Sequence, residues 1–419
     1  MIGTFFMDKN DIIPNLFRTE FSKIVAVLSN LFGIKNIEIA EDLASETFLT
    51  AMETWPYKGI PENPSAWLFA VAKNKAKNHL KRNSIFRDKI AKQSQDSRIE
   101  EFAIDLSDKN IADSQLQMLF AVCHPAISKK SQISLALRIL CGFGINEIAD
   151  AFLTTKETIN KRLQRAKEKL RSENIRMEIP PNDELLVRLD AVLLTTYLVF
   201  NEGYYSESNS SIIRKELCFE AMNLGYLLLK NDLTNRHTSN SLMSLMCFHS
   251  SRLEARLTDK GEIIRYQDQD EKIWSTELIE KGFYYLQQAS KWEIASKYYL
   301  EASIAYWHTI KKDTKDKWQS IFNLYNILLK IDYTPIADLN RIFALLKIRG
   351  NKIALTEAEN LNLKDNHFYH LLLSELYKGL NKSKEKDALE NALKLCKTET
   401  EKVFIGKKIE EFEKRKATT

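Results

Sequence analysis

The sequence predicts an all-α protein, and three observations carry that reading. Glycine and proline are scarce, 12 and 8 in 419 residues, while strong helix formers abound. Apolar residues recur at three- and four-residue steps along most of the chain, the spacing of one helix face. The prolines and glycines fall largely between these periodic stretches, where they end helices.

The length suggests two to four domains, with apolar content enough for real cores. A net charge of +5 is small for this length, so its placement matters more than its size. The five cysteines, Cys123, Cys141, Cys218, Cys247 and Cys396, are scattered with no CxxC pair. This argues for reduced thiols in a cytosol and against a zinc or disulfide framework. The N-terminus lacks a basic start followed by a long apolar run, so a signal peptide is not expected. No stretch approaches the roughly 20 apolar residues needed to span a bilayer. A soluble, cytoplasmic protein is the expectation.

Residues 12–83 read as a first helical unit. A helix over Leu16–Leu31 ends before Gly33. A second, Ile37–Trp55, places Ala40, Leu43, Ala44, Phe48, Ala51, Met52 and Trp55 on an apolar stripe, with Glu38, Glu41, Asp42 and Glu46 on the other face. Pro56, Gly59, Pro61 and Pro64 then break the chain. A third helix begins near Ser65, which can cap it. It faces Trp67, Leu68, Val71 and Ala72 inward and carries Lys73, Asn74, Lys75, Lys77, Asn78, His79, Lys81 and Arg82. Residues 84–111 are polar without a sustained period and read as a flexible tether.

Residues 112–176 form the next unit: a helix up to His124, then Pro125, then a helix over Gln132–Cys141, then Gly144–Arg171. In that last stretch Ile145, Ile148, Ala149 and Phe152 make one apolar stripe, and Ile159, Leu163, Ala166 and Leu170 a second. Leu153-Thr154-Thr155 lies between. Thr154 followed by Glu157 is a capping-box signature that would start the second helix. Two short amphipathic helices with a tight link read as a helix-turn-helix. Its second helix carries Lys156, Lys161, Arg162, Arg165, Lys167, Lys169 and Arg171 off the apolar stripe. Such a helix suits a DNA major groove, although Lys/Arg-rich solvated helices that bind nothing are also common. Cys123-His124 could suggest a nucleophile and base. Adjacent helical residues point about 100° apart and no third partner is spaced nearby, so a structural role is favoured.

Beyond Pro180-Pro181 the charge balances and Tyr, Leu and Trp dominate. Residues 182–280 read as a helical extension: a long apolar helix over Leu186–Phe200, a Gly/Ser-containing loop NEGYYSESNSS that is a ligand loop or a packed turn, and helices over Leu217–Leu229 and Ser241–Leu257. Residues 281–413 read as short helices in pairs with degenerate tetratricopeptide-like spacing, which builds a concave surface for a peptide or domain partner.

The stretch AEDLASETFLTAMETW followed by PSAWLFAVAKNKAKNHLKRN resembles region 2 of sigma-70 family factors, and is similar to the extracytoplasmic-function branch. LFAVCHPAISKKSQISLALRILCGFGINEIADAFLTTKETINKRLQRAKEKLR resembles region 4 of that branch. YLVFNEGYYSE, RYQDQDEKIW and LNRIFALLKIRGN look like the tetratricopeptide-like extension of one group within it. The resemblance implies an alternative bacterial sigma factor that binds core RNA polymerase and directs promoter-specific initiation, with no enzyme activity, cofactor or metal.

By that resemblance Asp42, Glu46 and Phe48 dock on the polymerase clamp, an acidic face suiting a basic partner. Trp67, Lys73, Asn74, Asn78, His79, Lys81 and Arg82 meet the −10 element, with cations on phosphates and polar or aromatic groups on unstacked bases. Trp67 also reads as a core anchor. Thr155, Lys156, Thr158, Lys161, Arg162 and Arg165 serve the −35 duplex. The C-terminal domain is expected to regulate the factor in cis. The competing reading is a helix-turn-helix regulator with a repeat-type sensor domain that binds an operator without polymerase. An enzyme housed in the C-terminal helices finds no triad, nucleotide loop or metal spacing in its support.

Overall fold

The computed structural model describes residues 12–90, 104–152, 154–204, 215–256, 258, 264, 266–292 and 295–417. The protein is all-α: no strand occurs among these residues. The chain divides into two compact units, with the boundary between Val199 and Phe200.

The first unit is built round α1 (Ile12–Phe32), which packs against α2 (Ile37–Lys58), α3 (Pro64–Ile90) and α4 (Asp108–Val122). From Glu20 to Ser29 only Lys23 escapes burial, so α1 is apolar nearly all round, the pattern of a core helix. Gly33 and Gly59 adopt positive φ at the turns that flank α2. Helix α3 is capped by Asn63, whose Oδ1 accepts the Ala66 amide at 3.0 Å, and not by Ser65. Pro64 stands at its first position, where a missing N–H costs nothing.

Helix α3 runs on to Ile90, so the segment expected to be a tether from residue 84 is helical at its start. Of the remainder of that expectation, residues 91–103 lie outside the described residues. The loop expected over residues 201–211 is helical over residues 201–204, and its residues 205–211 lie outside the described residues. Helix α4 likewise starts earlier than the pattern implies, at Asp108, because Ser107 caps it.

Then follow α5 (Lys129–Leu135), a π-helical turn over Ala136–Leu140, α6 (Ile145–Ala151) and α7 (Lys156–Ser172). The π turn delivers the chain to Gly142, at φ +70, where an added Cβ would lie 3.1 Å from the Arg18 carbonyl oxygen on α1. Both conformation and space demand glycine. Gly142→Ala should therefore destabilise this unit by about 1–3 kcal/mol, read as a lower urea midpoint in chemical denaturation.

Helix α8 (Asn182–Tyr204) begins after the proline pair but stays with the first unit until Val199. It anchors there by Arg188, which donates to the Phe120 carbonyl at 2.9 Å, and by Thr195, which donates to Gln132 Oε1 at 3.2 Å. Gln132 Nε2 in turn donates to the carbonyls of Cys123, His124 and Ile127. The buried amide thus pins the CHP turn, where few backbone partners exist. Burial pushes the Cys123 thiol up to about 12, the reverse of an activated thiolate. This agrees with a structural role for the Cys123-His124 pair.

The second unit contains α9 (Lys215–Leu229), α10 (His237–Ser250), α11 (Thr276–Ser290), α12 (Lys297–Trp307), α13 (Lys315–Ile331), α14 (Pro335–Arg349), α15 (Asn351–Glu359), α16 (His367–Tyr377), α17 (Lys382–Leu395) and α18 (Glu399–Ala417). Consecutive helices pack on one another from α9 to α18. Their starts are set locally: Ser275, Ser296, Thr314, Thr334, Asn366 and Asn381 each accept a backbone amide of the following first turn. Helix α10 is buried nearly all round, and Gly282 of α11 lets it come close, since a Cβ there would sit 2.7 Å from the Phe248 ring.

Burial lowers the His308 imidazole to about 3. The folded unit holds it neutral, while the unfolded chain takes up a proton near its ordinary value of 6.5. Stability is therefore level above pH 6.5 and falls as pH drops from there toward 3. Urea titrations at pH 7.5 and 5 should differ by about 2 kcal/mol from this group alone, with the lower pH less stable.

Candidate nucleic-acid interface

Helix α7 owes its place to its apolar stripe. Ile159, Leu163, Ala166 and Leu170 are all buried, packed toward α5 and α6. Its N-cap is Thr155, whose Oγ1 accepts the Thr158 amide at 3.2 Å. The expected Thr154–Glu157 capping box is not formed: the cap stands one residue later, and the Thr154 amide donates back to Ala149 instead. In the turn before α6 it is Glu147 that closes on a helix start, accepting the Gly144 amide at 2.6 Å.

The polar face of α7 divides into two halves. Thr155, Lys156, Thr158, Lys161 and Arg165 are exposed on its N-terminal half. Arg162 is half-buried, donates to Ser134 Oγ at 3.4 Å and lies 5.8 Å over the Phe152 ring, so it braces the helix pair. On the C-terminal half Lys167 is paired with Glu41 and Arg171 with Glu38, both of α2, and Arg171 also donates to the Lys35 carbonyl at 2.9 Å. These two cations, alike in sequence to the exposed ones, point at protein.

Glu41 is the hub of this contact. It is 7 % exposed and also meets Arg138 Nε at 3.5 Å. Elsewhere between the two stretches Arg18 pairs with Glu147 at 2.9 Å, and Asn30 donates to Gln117 at 3.0 Å. The two stretches expected to stand apart on a tether therefore share one packed unit. A carboxylate held by two cations tolerates a buried site, and removing it strands both partners. Because Lys167 and Arg138 keep partial access to water, Glu41→Ala should cost about 1–3 kcal/mol. Equal denaturation midpoints for variant and wild type would refute that estimate.

On α3, Trp67, Asn74, Asn78 and Lys81 fall along one stripe at helical steps. Asn74, Asn78, Lys81 and Arg82 are exposed, and Lys73 is half-buried. Trp67 is half-buried and meets Trp55 edge-on, ring centroids 5.4 Å apart, so it anchors the helix and still offers part of its ring. His79 is likewise half-buried against Phe32 at 5.6 Å.

On α2, Asp42 and Glu46 are exposed, with Glu46 3.3 Å from Lys75 of α3. Phe48 is 3 % exposed and packs 5.0 Å from the Phe17 ring, so it belongs to the core and forms the floor of a groove rather than a free contact. Met52, expected on the buried stripe, is instead 56 % exposed, and Leu49 beside it 53 %. Both lie with Asp42, Ser45 and Glu46 at three- and four-residue steps, a signal present in the sequence but masked by the width of the buried face. Together with Ile13, Pro14 and Phe17 these residues line a groove of about 800 Å³ with an apolar base and a carboxylate rim.

Among the described residues no cluster of His, Cys, Asp and Glu could hold a metal ion. No helix there is long and apolar enough to cross a membrane.

Residues 16–85, spanning α1 to α3, match Sigma-70 region 2. Residues 188–290 match a family of unknown function, DUF6596. An "Uncharacterized protein R00370" of Rhizobium meliloti (strain 1021) is 30% identical over 393 residues, 92% of this chain and 92% of its own length. No solved structure matches the chain.

Proposed function

Since the chain belongs to the family of that Rhizobium meliloti protein, and its sigma-70 region 2 makes it a sigma factor acting in transcription initiation, we propose that it is an alternative factor of the extracytoplasmic-function type. In this reading α2 binds core RNA polymerase, α3 meets the −10 element and α7 the −35 element. The observation that carries it is the carboxylate-rimmed apolar groove of α2 standing beside the exposed Asn/Lys/Arg stripe of α3, within the residues that match region 2.

Each part has a physical role. The groove offers apolar surface to desolvate, and Asp42 and Glu46 at its rim favour a basic partner. Lys81 and Arg82 suit phosphates, while Trp67, Asn74 and Asn78 suit bases freed from the stack. Thr155 and Thr158, at the start of α7, lie where a recognition helix reaches base edges, and Lys156, Lys161 and Arg165 lie where it holds backbone. The second unit acts on this machinery in cis, a reading supported by its fusion to residues that carry all three proposed contacts.

Run-off transcription tests the proposal. Core polymerase with the full chain should give transcripts from a defined promoter set, and core alone should not. A chain ending at Val199, where the first unit ends, should keep core binding and change the promoter set or its strength. Absence of core binding by the full chain would reject the assignment, and an unchanged profile on truncation would reject regulation in cis.

A further inference from the structure

Among the described residues, the second unit buries two cations without a carboxylate in contact. Arg252, just after α10, is 8 % exposed, and Lys317 of α13 is 1 % exposed. Both lie over the ring of Tyr266, the guanidinium carbon at 5.4 Å and the ammonium at 5.1 Å. Lys317 donates to the Tyr266 hydroxyl at 3.0 Å and to the Ile310 carbonyl at 2.6 Å, which leaves one of its three protons over. The Arg252 guanidinium has no hydrogen bond or ion pair among the described residues, and its Nε is buried. Trp274, 5.9 Å from Arg252, is buried with its indole N–H unpartnered.

The described surroundings do not neutralise this charge. Asp313 is the carboxylate that acts on Lys317, and it is already held by Lys347 at 3.1 Å and by the Trp318 indole. Glu271 acts on Tyr266 only at a distance. Lys311 adds a third cation, bound to the Gln269 carbonyl. His308, 5.4 Å from Tyr266, is held neutral by burial beside Arg252 and Lys317. Among the unpartnered buried groups here, the donors are Arg252 Nε and Trp274 Nε1, Gln269 Oε1 is an acceptor, and His249 Nδ1, beside Arg252, is a donor or acceptor according to its tautomer.

Buried charge is tolerated when paired, and buried donors when they find an acceptor. A cluster with two buried cations, spare donors and aromatic walls has the composition of an anion receptor. We propose that Arg252, Lys317 and Trp274 form a binding site for a small oxyanion, a carboxylate or phosphate, which enters as the missing counter-charge. Arg252 supplies planar donors, Lys317 a point charge, and Tyr266 and Trp274 the flat walls that hold the guanidinium in place.

The test uses the full chain at constant ionic strength, with potassium phosphate or sodium succinate replacing chloride, followed by thermal unfolding and tryptophan fluorescence. At least one oxyanion should give a saturable rise in Tm, about 5–10 °C at about a hundredfold excess over Kd. Arg252→Met should weaken that binding at least about tenfold, the loss of one charged donor. Lys317→Met serves as a second variant with the same expectation. Saturation by phosphate alone assigns a phosphate ligand, and by succinate alone a carboxylate. A rise that never saturates with either anion, or one that both variants retain unchanged, overturns the proposal.

Discussion

Replacing Leu49 and Met52 together by glutamate should abolish the association with core polymerase while leaving the fold intact. Both side chains stand on the open side of α2, more than half exposed, so the folded chain loses little by exchanging them. In a complex they would be the apolar part of the groove that is desolvated, and central apolar anchors typically carry about 2–4 kcal/mol each. Two added carboxylates must also be stripped of water if the partner is to seat. A rise in Kd of at least about 100-fold is expected, with an unchanged melting temperature. Phe48→Ala makes the contrast: it is a core residue, so it should lower stability by about 3–5 kcal/mol before any effect on binding can be assigned. Unaltered core affinity of the Leu49/Met52 double variant would remove α2 from the interface.

The second large effect is expected on α7. Lys161→Ala with Arg165→Ala should lower affinity for −35 duplex by about 10–1,000-fold, depending on whether one or both of these side chains reach bases. It should also flatten the dependence of log K on log salt by about one unit for each phosphate that is no longer neutralised. Lys167→Ala should instead leave duplex affinity unchanged and lower stability, because its ammonium is engaged with Glu41. Arg162→Ala belongs between the two, since its guanidinium braces α7 against Ser134 and Phe152. Parallel fluorescence-anisotropy and urea titrations separate these cases. Equal loss of DNA binding for the Lys161/Arg165 and Lys167 variants would mean that the division of the helix into outward and inward cations is wrong.

Much of this arrangement is legible in the chain. The four apolar residues of α7 land in the core as their spacing requires, and most helices of the second unit appear close to where periodicity puts them, although the one expected over Ser241–Leu257 runs from His237 to Ser250. Departures gather at helix ends and at face edges. Thr155 caps α7 where the pattern favours Thr154, and Asn63 caps α3 where it favours Ser65. Either of two neighbouring polar side chains can serve, and the choice depends on the backbone angle at which the chain enters the helix. Helix α2 buries so wide a face, from Ile37 round to Trp55, that the pattern alone cannot mark its edge, and Met52 falls on the outer side.

The order of residues alone thus settles local matters: which stretches are helical, which stripe of each turns inward, and where a polar side chain or a glycine ends or starts a turn. These follow from interactions three or four residues apart, which any helix must satisfy. The fate of charge is settled only by packing. Lys167 and Lys161 look alike in sequence, yet one meets Glu41, 126 residues away, and the other meets water. Arg252 and Lys317 are ordinary surface residues by their neighbours, and burial together over one tyrosine is what makes them chemically demanding. The energy of a charged group depends on its distance to other charges and to solvent, and those distances exist only once remote helices have packed.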